Sequence, residues 1–365
     1  APAIYNVGII IGLLFFTNGI NIFGWQVFEG GIMGVALGVV LGAILQLIVS
    51  TFGLIGMGFD YQFRIFWKNK GFRRVLRLLP PRSLDQGIDY VNSIVETNLA
   101  SRMISGSVLA YKQVTSLTYV PINLIGVAIS TAAFPKMTER IAEGRPDLFK
   151  SELQAVLRVI IWLALPVTVI AVVGRGYIIN FIVNGGDPYM ASILAILAVS
   201  ILFRSIYFIS ARSFYAQQDT RTPLYISLVT IALNITLAVW FSLVLGLGVH
   251  GLAWAAVIVS AIEVSILFTI MSRRIKGLFD KPFIHAIVRM ASAAGFMTVI
   301  TYLTILLLPL SADDQRFLDS FPKFVLIAGI SFLSYFLFSY LFKLREVYPI
   351  LSKIQKILFK FPGKK

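Results

Sequence analysis

Cysteine is absent from the 365 residues, and histidine is confined to His250 and His285. Disulfides, thiolate metal sites, cysteine nucleophiles and a His-rich metal centre are therefore excluded. Charge is also scarce. Only 13% of the residues are charged, against about 25% in a soluble domain, too few to cover a water-facing surface. Acidic residues are scarcer still, 17 against 32 Lys and Arg, for a formal charge of +15. Such a balance suits nucleic acid or an anionic membrane surface, and the positions of the charges decide between them. No Gly-rich phosphate loop, metal motif or nucleophile elbow occurs. No catalytic residue is expected; Asp85 and Asp89 alone have the placement of an intramembrane acidic motif.

What the chain has in abundance is apolar sequence: 58% of it is hydrophobic. A membrane-crossing helix needs roughly 20 mostly apolar residues. Ten such stretches lie near 3–22, 31–55, 83–104, 107–133, 153–173, 189–214, 223–245, 249–271, 284–309 and 322–342. Lys and Arg crowd into alternate connections. Arg64, Lys68, Lys70, Arg73, Arg74, Arg77 and Arg82 lie between the second and third spans, and Lys136, Arg140, Arg145, Lys150 and Arg158 between the fourth and fifth. Arg212 and Arg221 follow the sixth span, and Arg273, Arg274, Lys276, Lys281 and Arg289 the eighth. The tail carries seven more basic residues, from Lys343 to Lys365. The positive-inside rule puts these connections and the C-terminus in the cytoplasm, so the charge belongs to the membrane and no nucleic-acid partner is expected. The tail alternates Lys with Ile, Leu and Phe, which predicts an amphipathic helix on anionic lipid. The connection holding Phe63, Ile65, Phe66 and Trp67 reads the same way.

An internal repeat organises the spans. The second opens Gly31-Ile-Met-Gly34-Val-Ala36 and reaches Gln46; the eighth opens Gly248-Val-His-Gly251-Leu-Ala253 and reaches Glu263, without a gap. The spans before them each follow a proline with a tyrosine close behind, Pro2 and Tyr5, Pro223 and Tyr225. Spans one and two thus copy spans seven and eight, in the same orientation, as in transporters with parallel repeats. The expected architecture is all-α and polytopic, with about ten transmembrane helices. Residues 1–58 hold the last two helices of an incomplete lobe, 59–81 a basic interfacial loop and 82–275 a complete six-helix lobe. Two additional helices fill 276–343, and 344–365 is the basic tail. On this reading four N-terminal spans are missing, and the row Gly34, Gly38, Gly42 is the face that would pack on them.

Ionisable residues at membrane depth are costly and mark cavities or pathways. Arg82, Asp85, Asp89, Asn92 and Glu96 are spaced by three and four, which sets them on one helical face. That stripe must meet protein or water; a polar cavity and an interhelical hydrogen-bond seam both satisfy it. Lys112 opens the next span at a depth that would let it pair with Glu96. Arg204 lies in mid-span without a carboxylate one turn away, which favours an anion-facing role over a salt bridge with Glu263 in the eighth span. Asn234 suits a helix–helix hydrogen bond.

Four groups of motifs point to a family. Leu79-Pro-Pro-Arg82-Ser83, Ile94-Val-Glu96-Thr-Asn-Leu-Ala-Ser101 and Gly106-Ser107 resemble the seventh helix of the MurJ/MviN family of lipid II flippases. Pro121 to Ile129 and Phe134-Pro-Lys-Met137 resemble its eighth. Ala211-Arg-Ser-Phe-Tyr-Ala-Gln-Gln-Asp219-Thr-Arg-Thr-Pro223 is similar to its tenth-to-eleventh linker, and 248–253 to the start of its twelfth helix. The resemblance implies a fold of the multidrug/oligosaccharidyl-lipid/polysaccharide exporter type with fourteen helices, of which these would be the fifth to fourteenth. It implies alternating access that carries lipid-linked peptidoglycan precursor to the outer leaflet of the bacterial cytoplasmic membrane. Export of another lipid-linked oligosaccharide, or a scaffold in contact with cell-wall synthesis proteins, are the alternatives. No bound cofactor is implied; a coupling monovalent cation or the membrane potential would drive transport. The family's Asp-Arg pair falls on Thr115 and Ser116 here, so Arg204, Lys112 and Arg82 are left to receive an anionic headgroup. Glu96 with Asn234 matches the family's cation position, but Ala238 stands where a second acid is common.

Overall fold

A computed structural model describes residues 2–22, 25–28, 30–54, 67–311, 314, 316–349 and 352; of residues 2, 20–22, 25–28, 70–71, 74–75, 77–86 and 88–89 it describes the backbone alone. The chain divides into two compact units, Ala1–Leu76 and Arg77–Lys365.

In the first unit, α1 (Pro2–Ile11) ends in a π turn (Gly12–Phe16), and strands β1 (Ile20–Ile22) and β2 (Trp25–Phe28) pair antiparallel before α2 (Ile32–Phe52). This short hairpin is a local feature of the connection, and the fold class stays all-α. The hairpin is built from Ile, Trp, Val and Phe, which favour extended backbone. The glycine row departs from expectation. Gly34, Gly38 and Gly42 are buried, and α1 within this chain covers them. A Cβ on Gly38 would stand 2.6 Å from Gly12 Cα, and one on Gly8 would stand 2.2 Å from Gly42 Cα. Gly8 and Gly12 sit four residues apart, so they mesh with the row on α2 and let two backbones touch. The row is therefore a helix–helix contact already made, not an unfilled docking face. The opposite side of α2 exposes Ile32, Val40, Ile44 and Leu47, which suits acyl chains.

Among its described residues the second unit is built of helices joined by turns and loops, and its long helices lie at the expected spans. Helix α3 covers Lys70–Ser101, α4 Ser107–Ala142, α5 Pro146–Val173, α6 Arg175–Asn180 and α7 Pro188–Ala216. Then come α8 (Arg221–Val244), α9 (Val249–Arg274), α10 (Lys281–Leu307) and α11 (Phe317–Leu341). Among the described residues, α2, α4, α5 and α7–α11 are long and apolar enough to cross a membrane. Helix α3 begins at Lys70 rather than near 83, so Arg73, Arg74 and Arg77 ride on a helix and not in a loop. The reason lies in Phe72, Val75, Leu76 and Leu79, which recur at helical spacing.

Helix starts follow local chemistry. Asp187 caps α7, accepting from the backbone N–H of Tyr189 at 2.8 Å, and Asp280 caps α10 through Phe283 N–H at 2.9 Å. Both helices, and α5, carry a proline in their first turn, where its missing N–H costs nothing. The repeat read from the sequence has a backbone counterpart. Gly31 (φ 65°, ψ −139°) and Gly248 (φ 56°, ψ −136°) precede α2 and α9 in one conformation that a side chain would strain. Three residues on, Gly34 and Gly251 each let the end of the preceding helix approach, at Phe16 and Phe241.

One core cluster joins α4, α5, α7, α9, α10 and α11 around Leu157, Ile160, Phe214 and Met290. A second joins α3, α4, α7 and α9 around Val114, Ile193, Ile201 and Leu252. Helix α11 is tied to α5 by Trp162 Nε1–H donating to Ser339 Oγ at 3.1 Å. The turn after α11 continues this docking, with Arg158 Nε 2.6 Å from Glu346 Oε1 and Leu344 and Val347 buried. The first residues of the expected tail therefore pack on protein. Residues 353–365, on which the amphipathic-helix reading rests, lie outside the described residues, as do 55–66 of the basic connection.

Candidate functional site

Two polar groupings, each of buried and half-buried side chains, lie in the second unit. The first gathers on α3, α4 and α8. Glu96 Oε1 accepts from Asn92 Nδ2 at 3.1 Å and from Asn234 Nδ2 at 2.9 Å, while Tyr111 OH donates to Oε2 at 3.2 Å. Asn234 Nδ2 also donates to Asn92 Oδ1 at 2.9 Å. Asn234 Oδ1 is fully buried and has no hydrogen-bond partner among the described residues. Spacing explains the arrangement: Asn92 and Glu96 are one turn apart on α3, so both reach the single Asn234 side chain.

The second grouping gathers on α7, α8 and α9. Glu263, buried on α9, holds Arg204 Nη1 at 3.5 Å through Oε2. Its Oε1 accepts from Ser227 Oγ at 3.4 Å and Thr230 Oγ1 at 3.2 Å. Tyr207 OH lies 3.3 Å from Ser227 Oγ, and the Arg204 guanidinium lies 6.0 Å from the Tyr207 ring centre. Ser227, Thr230 and Asn234 fall at i, i+3 and i+7 on α8, so one helical face serves both groupings.

The sequence reading meets this geometry unevenly. Glu96, Asn92 and Asn234 are brought together. Lys112 does not pair with Glu96: its Nζ donates to Ser93 Oγ at 3.0 Å. Tyr111, the preceding residue on α4, turns inward to the carboxylate while Lys112 stays exposed, since neighbours on a helix point about 100° apart. Arg204 sits beside Glu263, the arrangement the sequence set second. The side chains of Arg82, Asp85 and Asp89 lie outside the described residues. Tyr111, Ser227 and Thr230 were not singled out in the sequence. The i, i+3, i+7 spacing of Ser227, Thr230 and Asn234 was the available signal.

At the end with the basic loops, the linker from α7 to α8 is clamped. Asp219 Oδ1 accepts the N–H groups of Arg221 and Thr222, at 3.1 and 3.0 Å, and Oδ2 accepts Thr222 Oγ1 and Arg274 Nη2, each at 2.6 Å. Burial works against ionisation of Asp219. The bonds from Thr222 and Arg274 outweigh it and hold the carboxyl down at about 2. Arg274 in turn covers the Phe214 ring at 4.9 Å. This is the physical content of the Phe-Tyr-Ala-Gln-Gln-Asp-Thr-Arg-Thr-Pro motif: it fixes the loop joining two helices of the site.

Comparison with known proteins agrees with the architecture. The probable lipid II flippase MurJ of Thermotoga maritima is 26% identical over 358 residues, 96% of this chain and 66% of that protein. The corresponding Borreliella burgdorferi protein is 23% identical over 258 residues, 69% of this chain and 48% of that protein. A solved structure, lipid II flippase MurJ in an inward closed conformation, superposes with a TM-score of 0.69 at 23% identity. It covers 93% of this chain and 66% of that one, and at that identity the likeness speaks for the fold. The chain spans about half to two thirds of the length of the curated relatives it matches. The family model described as lipid II flippase MurJ matches residues 1–313. With most of its length matched, and with a multi-pass helical fold to go with it, the chain belongs to the lipid II flippase MurJ family.

Proposed function

We propose that this chain moves a lipid-linked peptidoglycan precursor from the cytoplasmic to the outer leaflet of a bacterial cytoplasmic membrane, with its C-terminus in the cytoplasm. The observation that carries the proposal is the pair of polar groupings held inside the membrane unit of a flippase-family fold. Apolar spans hold Glu263, Arg204 and Asn234 at a cost of several kcal/mol, Asn92 and Glu96 meet them from α3, and a pathway for a polar headgroup gives that cost a purpose. The work is transport, not bond chemistry: the groups offered are hydrogen-bond donors, acceptors and fixed charges.

In this reading Arg204, whose side chain is 34% exposed, and exposed Lys112 receive the anionic headgroup, and Arg82 joins them. A guanidinium suits phosphate because its fork donates two parallel hydrogen bonds. Glu96, Asn92 and Asn234 form the place for a coupling cation. Carboxylate and amide oxygens are hard ligands that fit a hard monovalent ion, and the buried, unpartnered Asn234 Oδ1 is an oxygen that such an ion would satisfy. Ala238 one turn away adds no ligand. Anionic lipid is the partner of the basic connections, and proteins of cell-wall synthesis are the partners of the transported product.

Complementation tests the proposal. Expression of this chain in a bacterium depleted of its own lipid II flippase is expected to restore growth and shape, and the Glu96→Ala, Asn234→Ala variant is expected to fail at equal membrane abundance. No rescue by the wild-type chain at normal abundance would overturn it.

A further inference from the structure

Arg212 stands apart from the other buried or half-buried basic groups. It lies on α7 two turns beyond Arg204, about 12 Å along the axis, close to the end that carries the basic connections. Its Nη1 donates to Ser130 Oγ and, at 3.3 Å, to the Val127 carbonyl, both on α4. The Phe208 ring lies beside it, 6.0 Å from the guanidinium carbon. Ser130 is fully buried and gives its own hydrogen to the Gly126 carbonyl at 2.5 Å, so its oxygen is free to accept from Arg212. These acceptors are all neutral.

The contrast with its neighbours is sharp. Arg158 has Glu346, Arg274 has Asp219, Lys136 has Glu152, and Arg204 has Glu263. Among the described residues no carboxylate lies within ion-pair distance of Arg212. The guanidinium is held in place by one nitrogen, no carboxylate among the described residues pairs with its charge, and the residue is only half-buried. A positive charge fixed in a partly desolvated site favours an anion strongly. A guanidinium already oriented by α4 loses little further freedom on binding one. Its remaining N–H groups form the fork that matches two phosphate oxygens.

We infer that Arg212 is an anion-binding residue for a lipid phosphate at the level of the cytoplasmic leaflet. It takes the pyrophosphate of the lipid-linked precursor as that lipid enters, ahead of the deeper Arg204. The inference rests on the transport reading above. The same chemistry would recognise a phospholipid phosphate or free pyrophosphate, and the test separates them.

The full chain is placed in nanodiscs of phosphatidylcholine, and binding is measured for a fluorescent farnesyl pyrophosphate, with inorganic pyrophosphate and phosphatidylglycerol as competitors. Arg212→Gln is expected to weaken farnesyl pyrophosphate binding by about tenfold or more, the effect of losing charge-assisted hydrogen bonds. Arg212→Lys should lose less, and neither competitor should displace the probe at equal concentration. Ser130→Ala keeps the charge and removes the anchor, so its affinity should fall between wild type and Arg212→Gln, with the melting temperature reporting any loss of packing. Equal affinity in Arg212→Gln and wild type overturns the inference alone. So does an affinity loss that tracks melting temperature equally in Arg212→Gln, Arg212→Lys and Ser130→Ala, which is the signature of a helix clamp. Displacement by phosphatidylglycerol at equal mole fraction also overturns it, assigning Arg212 to bulk lipid. Absence of probe binding by the wild-type chain overturns the lipid-pyrophosphate reading itself.

Discussion

Replacing Arg204 by alanine separates a structural ion pair from a binding charge, and its cost can be worked from the structure. The Nη1–Oε2 separation is 3.5 Å, Glu263 is 5% exposed and Arg204 34%. Coulomb attraction at that distance is about 5 kcal/mol for an effective dielectric near 20. Desolvation offsets much of it, because Glu263 is buried and Arg204 partly so. Removing Arg204 takes a cation from Oε2 of the Glu263 carboxylate, while the Ser227 and Thr230 hydroxyls stay on Oε1. The expected loss is about 3 kcal/mol, the lower end for breaking a buried pair. Arg204→Met with Glu263→Met should recover most of that, since an apolar pair of similar volume carries no desolvation debt. Thermal unfolding in nanodiscs, run as a double-mutant cycle, gives the coupling energy. A coupling near zero, with Arg204→Ala as stable as wild type, would refute the claim that this pair joins α7 to α9. Transport by the stable double variant then reports on the headgroup role: loss at wild-type stability supports it, and the wild-type rate removes it.

Gly38→Leu should force α1 from α2, because even its Cβ would stand 2.6 Å from Gly12 Cα. The expected cost is about 1–3 kcal/mol, read as an increased α1–α2 spin-label distance, and an unchanged distance would count against the glycine contact. Asp219, held at about 2 against an ordinary 3.8, contributes stability that is fully present above about pH 4. That contribution is lost as pH falls through about 2, because acid protonates the group in the unfolded chain first. The difference in melting temperature between wild type and Asp219→Asn should therefore shrink from pH 5 to pH 2; the contribution is about 1 kcal/mol once the partial exposure of Arg274 is allowed for. A difference independent of pH would show that the Arg274 clamp is not electrostatic. Asn234→Ala removes the side chain that joins Asn92 and Glu96, and should abolish monovalent-cation dependence of transport while lowering stability by about 1–2 kcal/mol. Transport by this variant with the wild-type ion dependence would dismiss the cation assignment.

Eight of the ten expected spans were legible among the described residues because length and hydropathy decide them; the first ends at Phe16, short of a full span, and the third belongs to the less apolar α3. Alternating basic loops gave an expected direction for the same reason. The Gly31 and Gly248 repeat was legible too, since a positive φ at each helix start needs glycine and leaves it in the sequence. Partner choice was harder. Glu96 and Asn234 lie 138 residues apart, and helical spacing says which face a residue is on but not which face it meets. That is why Lys112 was set opposite Glu96, when the neighbouring Tyr111 is the residue that turns in. The glycine row was read as an open contact because the matching Gly8 and Gly12 lie on a short span, where a two-residue pattern carries little signal. The start of α3 at Lys70 was hidden by basic residues that resemble a loop in composition, although Phe72, Val75, Leu76 and Leu79 keep helical period through them. Arg212 carries a similar lesson: beside a loop it counts as one more cytoplasmic charge, and only its placement against Ser130 gives it another meaning.

The proposed movement of a pyrophosphate-linked lipid across a bilayer, through the polar groups of the helical unit, can be followed directly. Reconstituted vesicles test it most directly. A fluorescent prenyl-pyrophosphate-linked sugar is loaded in both leaflets, and a membrane-impermeant quencher is added outside. Vesicles holding the wild-type chain are predicted to lose nearly all the fluorescence, as inner-leaflet lipid is brought out. Vesicles with Glu96→Ala, Asn234→Ala should stop at about half, the outer-leaflet share expected of a symmetric bilayer with no exchange. A wild-type trace that stops at that same half, with the protein folded and inserted, would show that the chain does not move this lipid.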